Sequence, residues 1–240
     1  MVTLSPLEMF QGSLTLIAVL ISFILGLIII LKYFKFKRIQ LLLVGVTWIL
    51  LMSVYWPDAI TFILILTTGN PLNKYVYFFL ANAFIAPVHI TWVTVITDLI
   101  WKKNKKIIRL LFAIEAIIFE VIFLSVFFID PDQIGTQIAV FVVQWALFVD
   151  IYLIFSIVMF LGTGLLFARE SLKAQNAELQ LKAKFLILAF VTFTIGAVLD
   201  VAFESDEITI FLARLLVIIA AFAFYIGFTL PKFIKELFVK

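Results

Sequence analysis

The chain has 240 residues, 65% of them hydrophobic and 14% charged, and its mean hydropathy is +1.23; an ordinary soluble domain is roughly 45 to 50% apolar and about 25% charged. No water-soluble fold hides that much apolar surface, and with no cysteine the chain has neither disulfides nor thiolate metal sites. The net charge of +3 matters less than where the charges lie, and the length fits seven helical crossings of a ~30 Å hydrocarbon core with short loops.

In chain order the apolar runs predict spans at about Leu14–Leu31, Leu41–Thr67, Tyr75–Trp101, Ile107–Ile129, Ile138–Phe167, Phe185–Phe203 and Ile208–Leu230. The runs far exceed the 4 to 8 residues of a buried strand. They also lack the alternation of a spanning barrel. Backbone groups in hydrocarbon must be satisfied within the segment, so the expected fold is an all-α polytopic transmembrane bundle of seven helices, residues 1–240 forming one domain in the cell membrane.

Lys and Arg near span ends are retained on the cytoplasmic side. Lys32, Lys35, Lys37 and Arg38 gather in one loop, Lys102, Lys103, Lys105, Lys106 and Arg109 in the next loop of the same side, then Arg169, Lys173, Lys182 and Lys184, and finally Lys232, Lys235 and Lys240. The opposite side holds Lys74 with Glu8, Asp130, Asp132, Glu204, Asp206 and Glu207. This alternation predicts the N-terminus outside and the C-terminus in the cytoplasm. The first twelve residues carry no Lys or Arg, so the first span is expected to be an uncleaved anchor rather than a secretory signal. Thr68-Gly69-Asn70-Pro71 and Asp130-Pro131-Asp132 predict short external turns with no extracellular domain. The connection from Ala168 to Lys184 is rich in helix formers and should prolong the fifth and sixth spans. Leu172 and Leu179 are seven apart, which is too little for a coiled coil. Lys102, Lys103, Lys105 and Lys106 form a basic stretch suited to anionic lipid and to coupling with a cytoplasmic signalling protein; nucleic acid is not an expected partner. Gly162, Gly164, Ala220, Ala221 and Ala223 permit close helix packing, either within the bundle or in a homodimer.

A charge at mid-depth costs roughly 2.5 to 3.5 kcal/mol or more, so ionisable residues inside spans normally face the bundle interior and do something there. Here they are Asp58, His89, Asp98, Glu115, Glu120, Asp150, Asp200 and Arg214. Counting depth at ~1.5 Å per residue places Asp58, Asp200 and Arg214 toward the outer end. It places His89, Glu120 and Asp150 near the middle, and Asp98 and Glu115 toward the cytoplasm. Arg214 needs a carboxylate partner, because a guanidinium does not shed its proton on burial, and Asp200 or Asp58 is the expected one. Tyr55, Trp56 and Pro57 adjoin this cluster, and Pro57 and Pro87 should each disturb their helix. The cluster reads either as a ligand site or as an ion pair locking helices together.

His89 is the only histidine, so bis-histidine haem and the familiar multi-histidine zinc sites are not expected. The last span has no lysine, which removes retinal as a Schiff-base cofactor. No P-loop, dinucleotide fingerprint, HExxH or GxSxG occurs, and no catalytic residue or metal ligand is assigned. TDLIW (97–101) and GFTLP (227–231) stand where animal-type receptors carry Asp-Arg-Tyr and Asn-Pro-x-x-Tyr.

The charged ELQLKAKFLILAF (178–190) entering the sixth span and YIGFTLPKFIKELF (225–238) leaving the seventh give a layout that resembles the seven-helix sensor regions of bacterial and archaeal histidine kinases. The resemblance implies a bundle that senses a small or lipophilic ligand between its helices and passes a helix movement to the cytoplasm. Only ten residues follow Leu230, so the expected output is a separate partner. Two other readings stay open: a small transporter or ion-conducting protein using the buried carboxylates, and a structural subunit or membrane chaperone.

Overall fold

The computed structural model describes residues 2–202 and 206–238. Among these residues seven helices are long and apolar enough to cross a membrane, with mean hydropathy from 1.7 to 3.1 over their most apolar windows. The protein is a multi-pass membrane protein whose environment is a lipid bilayer. Phe203, Glu204 and Lys240, which the charge and hydropathy pattern assigns to a span end and two loops, lie outside the described residues.

The first span, Pro6–Phe36, begins on a capping box: Ser5 accepts from the Glu8 amide, and the Glu8 carboxylate accepts from the Ser5 amide at 2.8 Å. Two of the helix's free amide groups are thereby satisfied. The second span, Ile39–Thr68, tightens to a 3-10 turn at Met52–Tyr55, just ahead of Pro57. The third, Lys74–Leu99, breaks between Asn82 and Ile85. Pro87 has no N–H to give the carbonyl four residues before it, that of Ala83, and the break falls there. The fourth, Lys105–Ile129, packs chiefly on the third and is the least buried span.

The fifth helix starts at Leu147, not Ile138. Between the fourth and fifth spans, β1 (Gly135–Ala139) and β2 (Val142–Trp145) form an antiparallel hairpin, with Gly135 opposite Trp145 and an irregularity between Gln137 and Ala139. The segment is dominated by β-branched and aromatic residues, which suit a strand, and a short apolar run does not by itself distinguish strand from helix. The expectation of turns alone at this end is corrected accordingly. Phe141 at the hairpin's tip and Ile134 at its base are buried, Trp145 meets Phe78 edge-on, and Lys74 Nζ reaches Asp132 at 2.7 Å. The hairpin therefore folds over the bundle rather than away from it.

The fifth helix runs on to Leu172, and the sixth, Ala177–Ala202, starts on Asn176, whose side chain accepts from the Glu178 amide at 2.8 Å. The seventh, Glu207–Thr229, is capped by Asp206, whose carboxylate accepts from the Thr209 amide at 2.7 Å. That hydrogen bond holds the Asp206 carboxyl below the usual carboxylate range. A short helix, Lys232–Phe238, then folds back so that Lys235 meets Glu178 at 2.6 Å.

The first and second helices come together at Gly26 and Gly45; a Cβ on Gly45 would stand 2.7 Å from the Gly26 carbonyl. Gly164 faces the Phe190 ring, whereas Gly162 has open space before it, and Ala220, Ala221 and Ala223 are buried inside the bundle. The fold thus has a hairpin end and a basic end. Toward the basic end lies the main core, around Trp48, Trp92, Phe160, Phe190 and Phe224.

Candidate ligand cavity

A cavity of about 680 Å³ occupies the hairpin half of the bundle, within the roughly 300 to 1,000 Å³ of small-molecule sites. Its walls come from the first, second, third, fifth, sixth and seventh spans, and residues 138, 139 and 141–145 of the hairpin close over it.

Arg214 anchors one wall and is 4% exposed. Its Nη1 donates to Asp200 Oδ2 at 2.5 Å, its Nε donates to Thr15 Oγ1 at 2.8 Å, and its guanidinium lies 4.6 Å from the centroid of the Tyr55 ring. The Tyr55 hydroxyl donates to the same Asp200 oxygen at 2.8 Å. One carboxylate thus joins the second, sixth and seventh helices, while Thr15 adds the first. Cation–π contact and charge-assisted hydrogen bonds reinforce one another here because water is largely shut out. Asp58 is buried next to this cluster, with Oδ1 accepting from the Tyr77 hydroxyl. Trp56 is not a cavity residue; it packs on Phe84, 5.3 Å between ring centroids, near the break in the third helix.

His89 is fully buried at the cavity floor. Its Nε2 lies 2.8 Å from Ser156 Oγ, and its Nδ1 lies 3.1 Å from Glu115 Oε2 and 3.2 Å from the Tyr152 hydroxyl. The depth count set Glu120 and Asp150 level with His89, and Glu115 nearer the cytoplasm. Glu115 is the carboxylate that meets His89. Helix direction explains why: His89 is ten residues from Leu99, where the third span ends, and Glu115 is ten residues from Lys105, where the antiparallel fourth begins. Glu120 lies more than a turn nearer the hairpin, with Oε1 buried and unpaired among the described residues. Asp150 sits in the first turn of the fifth helix, at the cavity's rim rather than at mid-depth, because the hairpin uses up the residues read as that helix's start.

Beneath the floor the bundle is sealed by aromatic side chains. Trp48 stacks on Phe224 at 4.4 Å between ring centroids, and Trp92 lies 4.8 Å from Phe160 and 5.6 Å from Phe190. All five are at most 1% exposed. The Trp92 Nε1 donates to Thr163 Oγ1 at 2.8 Å, fixing the indole between the third and fifth helices.

At the basic end Asp98 ties three spans together: Arg109 Nη2 lies 2.6 Å away, Lys105 Nζ 3.3 Å and Gln40 Nε2 3.4 Å. Lys102 and Lys103 are exposed beside it, and Lys105 is half-exposed through its ion pair; Lys106 is exposed as well. Among the described residues no group of three or more Asp, Glu or His is arranged to hold a metal. Comparison of the chain with protein-family models, with curated proteins and with solved structures finds no match in any of the three.

Proposed function

We propose that this protein is a receptor-like sensor of the cell membrane, oriented N-terminus out, that binds a small or lipophilic molecule in the cavity and signals to a cytoplasmic partner through its basic loops. The observation that carries the reading is the cavity itself: a large, partly apolar space bounded by six of the seven helices, with a few polar groups on its walls and floor and a folded hairpin over it. A ligand there would touch the second, third, fifth, sixth and seventh helices at once. Any change in their spacing reaches the basic end through rigid helices and the Trp92 cluster. The sixteen basic residues outside Lys74 and Arg214 support the orientation, which puts the hairpin outside and Lys102, Lys103, Lys105 and Lys106 in the cytosol. The layout, which resembles that of histidine-kinase sensor regions, points the same way.

The aromatic seal favours sensing over transport. A translocation route would have to continue from His89 toward the basic end, and that path meets Trp92, Phe160, Phe190 and Phe224 in mutual contact instead of polar side chains.

The reading is tested by native mass spectrometry of protein extracted gently from its own membrane, beside Ala197→Phe, which places a ring in the cavity. A small-molecule adduct on the wild type that is lost from Ala197→Phe is the expected result. An empty wild type, or an adduct that the filled cavity retains, would sink the proposal.

A further inference from the structure

We propose that the cavity selects a lipophilic cation: an amine or quaternary ammonium head carried on an apolar tail. This rests on the cavity's being the ligand site, and it follows from a charge imbalance on its walls. The ionisable side chains lining it are Asp58, Asp150, Asp200, His89 and Arg214. Arg214 is committed to Asp200, to Thr15 and to the Tyr55 face, and His89 is committed to Ser156, Glu115 and Tyr152.

Two carboxylates have no ion pair among the described residues. Asp58 is 6% exposed; Tyr77 satisfies its Oδ1, and its Oδ2 has no partner among the described residues. Asp150 has neither a hydrogen bond nor an ion pair from its side chain among the described residues, and it lines the same cavity. A carboxylate withdrawn from water without an ion-pair partner, as Asp58 is, is costly, and an anionic ligand would add to the repulsion. A cationic head beside Asp58 offsets that cost, and Asp150 adds to its attraction.

The remaining walls fit such a molecule. The Tyr77 ring stands at Asp58, whose Oδ1 accepts from its hydroxyl, and Phe141 and Trp145 add aromatic rings to the cavity wall; aromatic faces recognise ammonium groups through cation–π attraction. Deeper, Leu153, Ile157 and Phe193 form an apolar slot for a tail. The carboxylates lie toward the hairpin and the apolar slot toward the bundle interior, which gives head and tail a defined direction.

The test compares octyltrimethylammonium, octanol and octanoate, equal in tail length and different in head charge, on the full chain in nanodiscs of zwitterionic lipid, with occupancy read by native mass spectrometry. The ammonium is expected to bind at least about tenfold more tightly than octanol, with octanoate weakest. That preference should fall toward parity in Asp58→Asn, which keeps an acceptor for Tyr77, and in Asp150→Asn, whose side chain holds nothing in place. Octanol or octanoate binding as well as the ammonium would overturn the cation selectivity while leaving a ligand site standing; so would a preference unchanged in both variants. Failure of all three probes to occupy the cavity would overturn this inference together with the proposed function.

Discussion

A guanidinium escapes burial only by finding an anion, and Arg214 has done so at Asp200. The Arg214→Met variant would leave the half-buried Asp200 without its cation, a loss of about 2 to 4 kcal/mol, somewhat below the usual cost of breaking a fully buried pair. Thermal melting in detergent should show a large drop for Arg214→Met, and the double variant Arg214→Met with Asp200→Asn should recover most of it. A double variant no better than the single one would mean that Thr15 and Tyr55, not the charge, depend on the arginine. Two glycines of the fifth helix make a second comparison. Gly164→Ala drives a methyl into the Phe190 ring and should cost about 1 to 3 kcal/mol through overpacking. Gly162→Ala meets nothing and should be neutral or slightly stabilising through helix propensity. Equal melting temperatures for the two would refute the packing described for the fifth helix. The ionisable residues of the site were legible as residue types, because charge in hydrocarbon needs a reason. Their partners were less so. Asp200 was within reach of a depth count, and Glu115 would have been, since it is as far from its span's end as His89 is. Which face of a helix points inward was not legible, because these helices are apolar nearly all round and carry little amphipathic signal.

At the scale of elements, seven long apolar runs are hard to mistake, and the two disturbed spans follow from Pro57 and Pro87. The hairpin was missed. Its residues Ile138 to Trp145 continue directly into the apolar start of the fifth helix, and neither proline nor glycine punctuates the join. Only Gly135 and the β-branched and aromatic character of the residues after it gave a hint. On the proposed reading the hairpin is a cover, so Phe141→Ala, which shortens the buried side chain at its tip, should speed ligand release several-fold. Release should be read by dilution after loading, and the helical circular-dichroism spectrum should stay intact. A release rate equal to wild type would show that ligands enter and leave elsewhere, between helices from the lipid.

The whole molecule is polarised: a cavity with acidic groups under a hairpin at one end, an aromatic seal below it, and a basic surface at the other end. With no native cysteine, orientation is accessible to single-cysteine labelling. Gln133→Cys in intact cells should react with a membrane-impermeant maleimide, and Lys103→Cys only after permeabilisation; the reverse pattern would invert the orientation argued from charge. The seal further predicts that proteoliposomes show ligand binding without flux. The account's central claim is that the hairpin half of the bundle holds a ligand-sized space with a sealed floor. An experimental density map of the protein crystallised from a lipid mesophase with native membrane extract tests it most directly. The account predicts non-protein density between Asp58 and Asp150, with Trp92, Phe160 and Phe224 in contact below it. A cavity collapsed onto Tyr55 and Phe193, or a line of water crossing the Trp92 cluster, would contradict it.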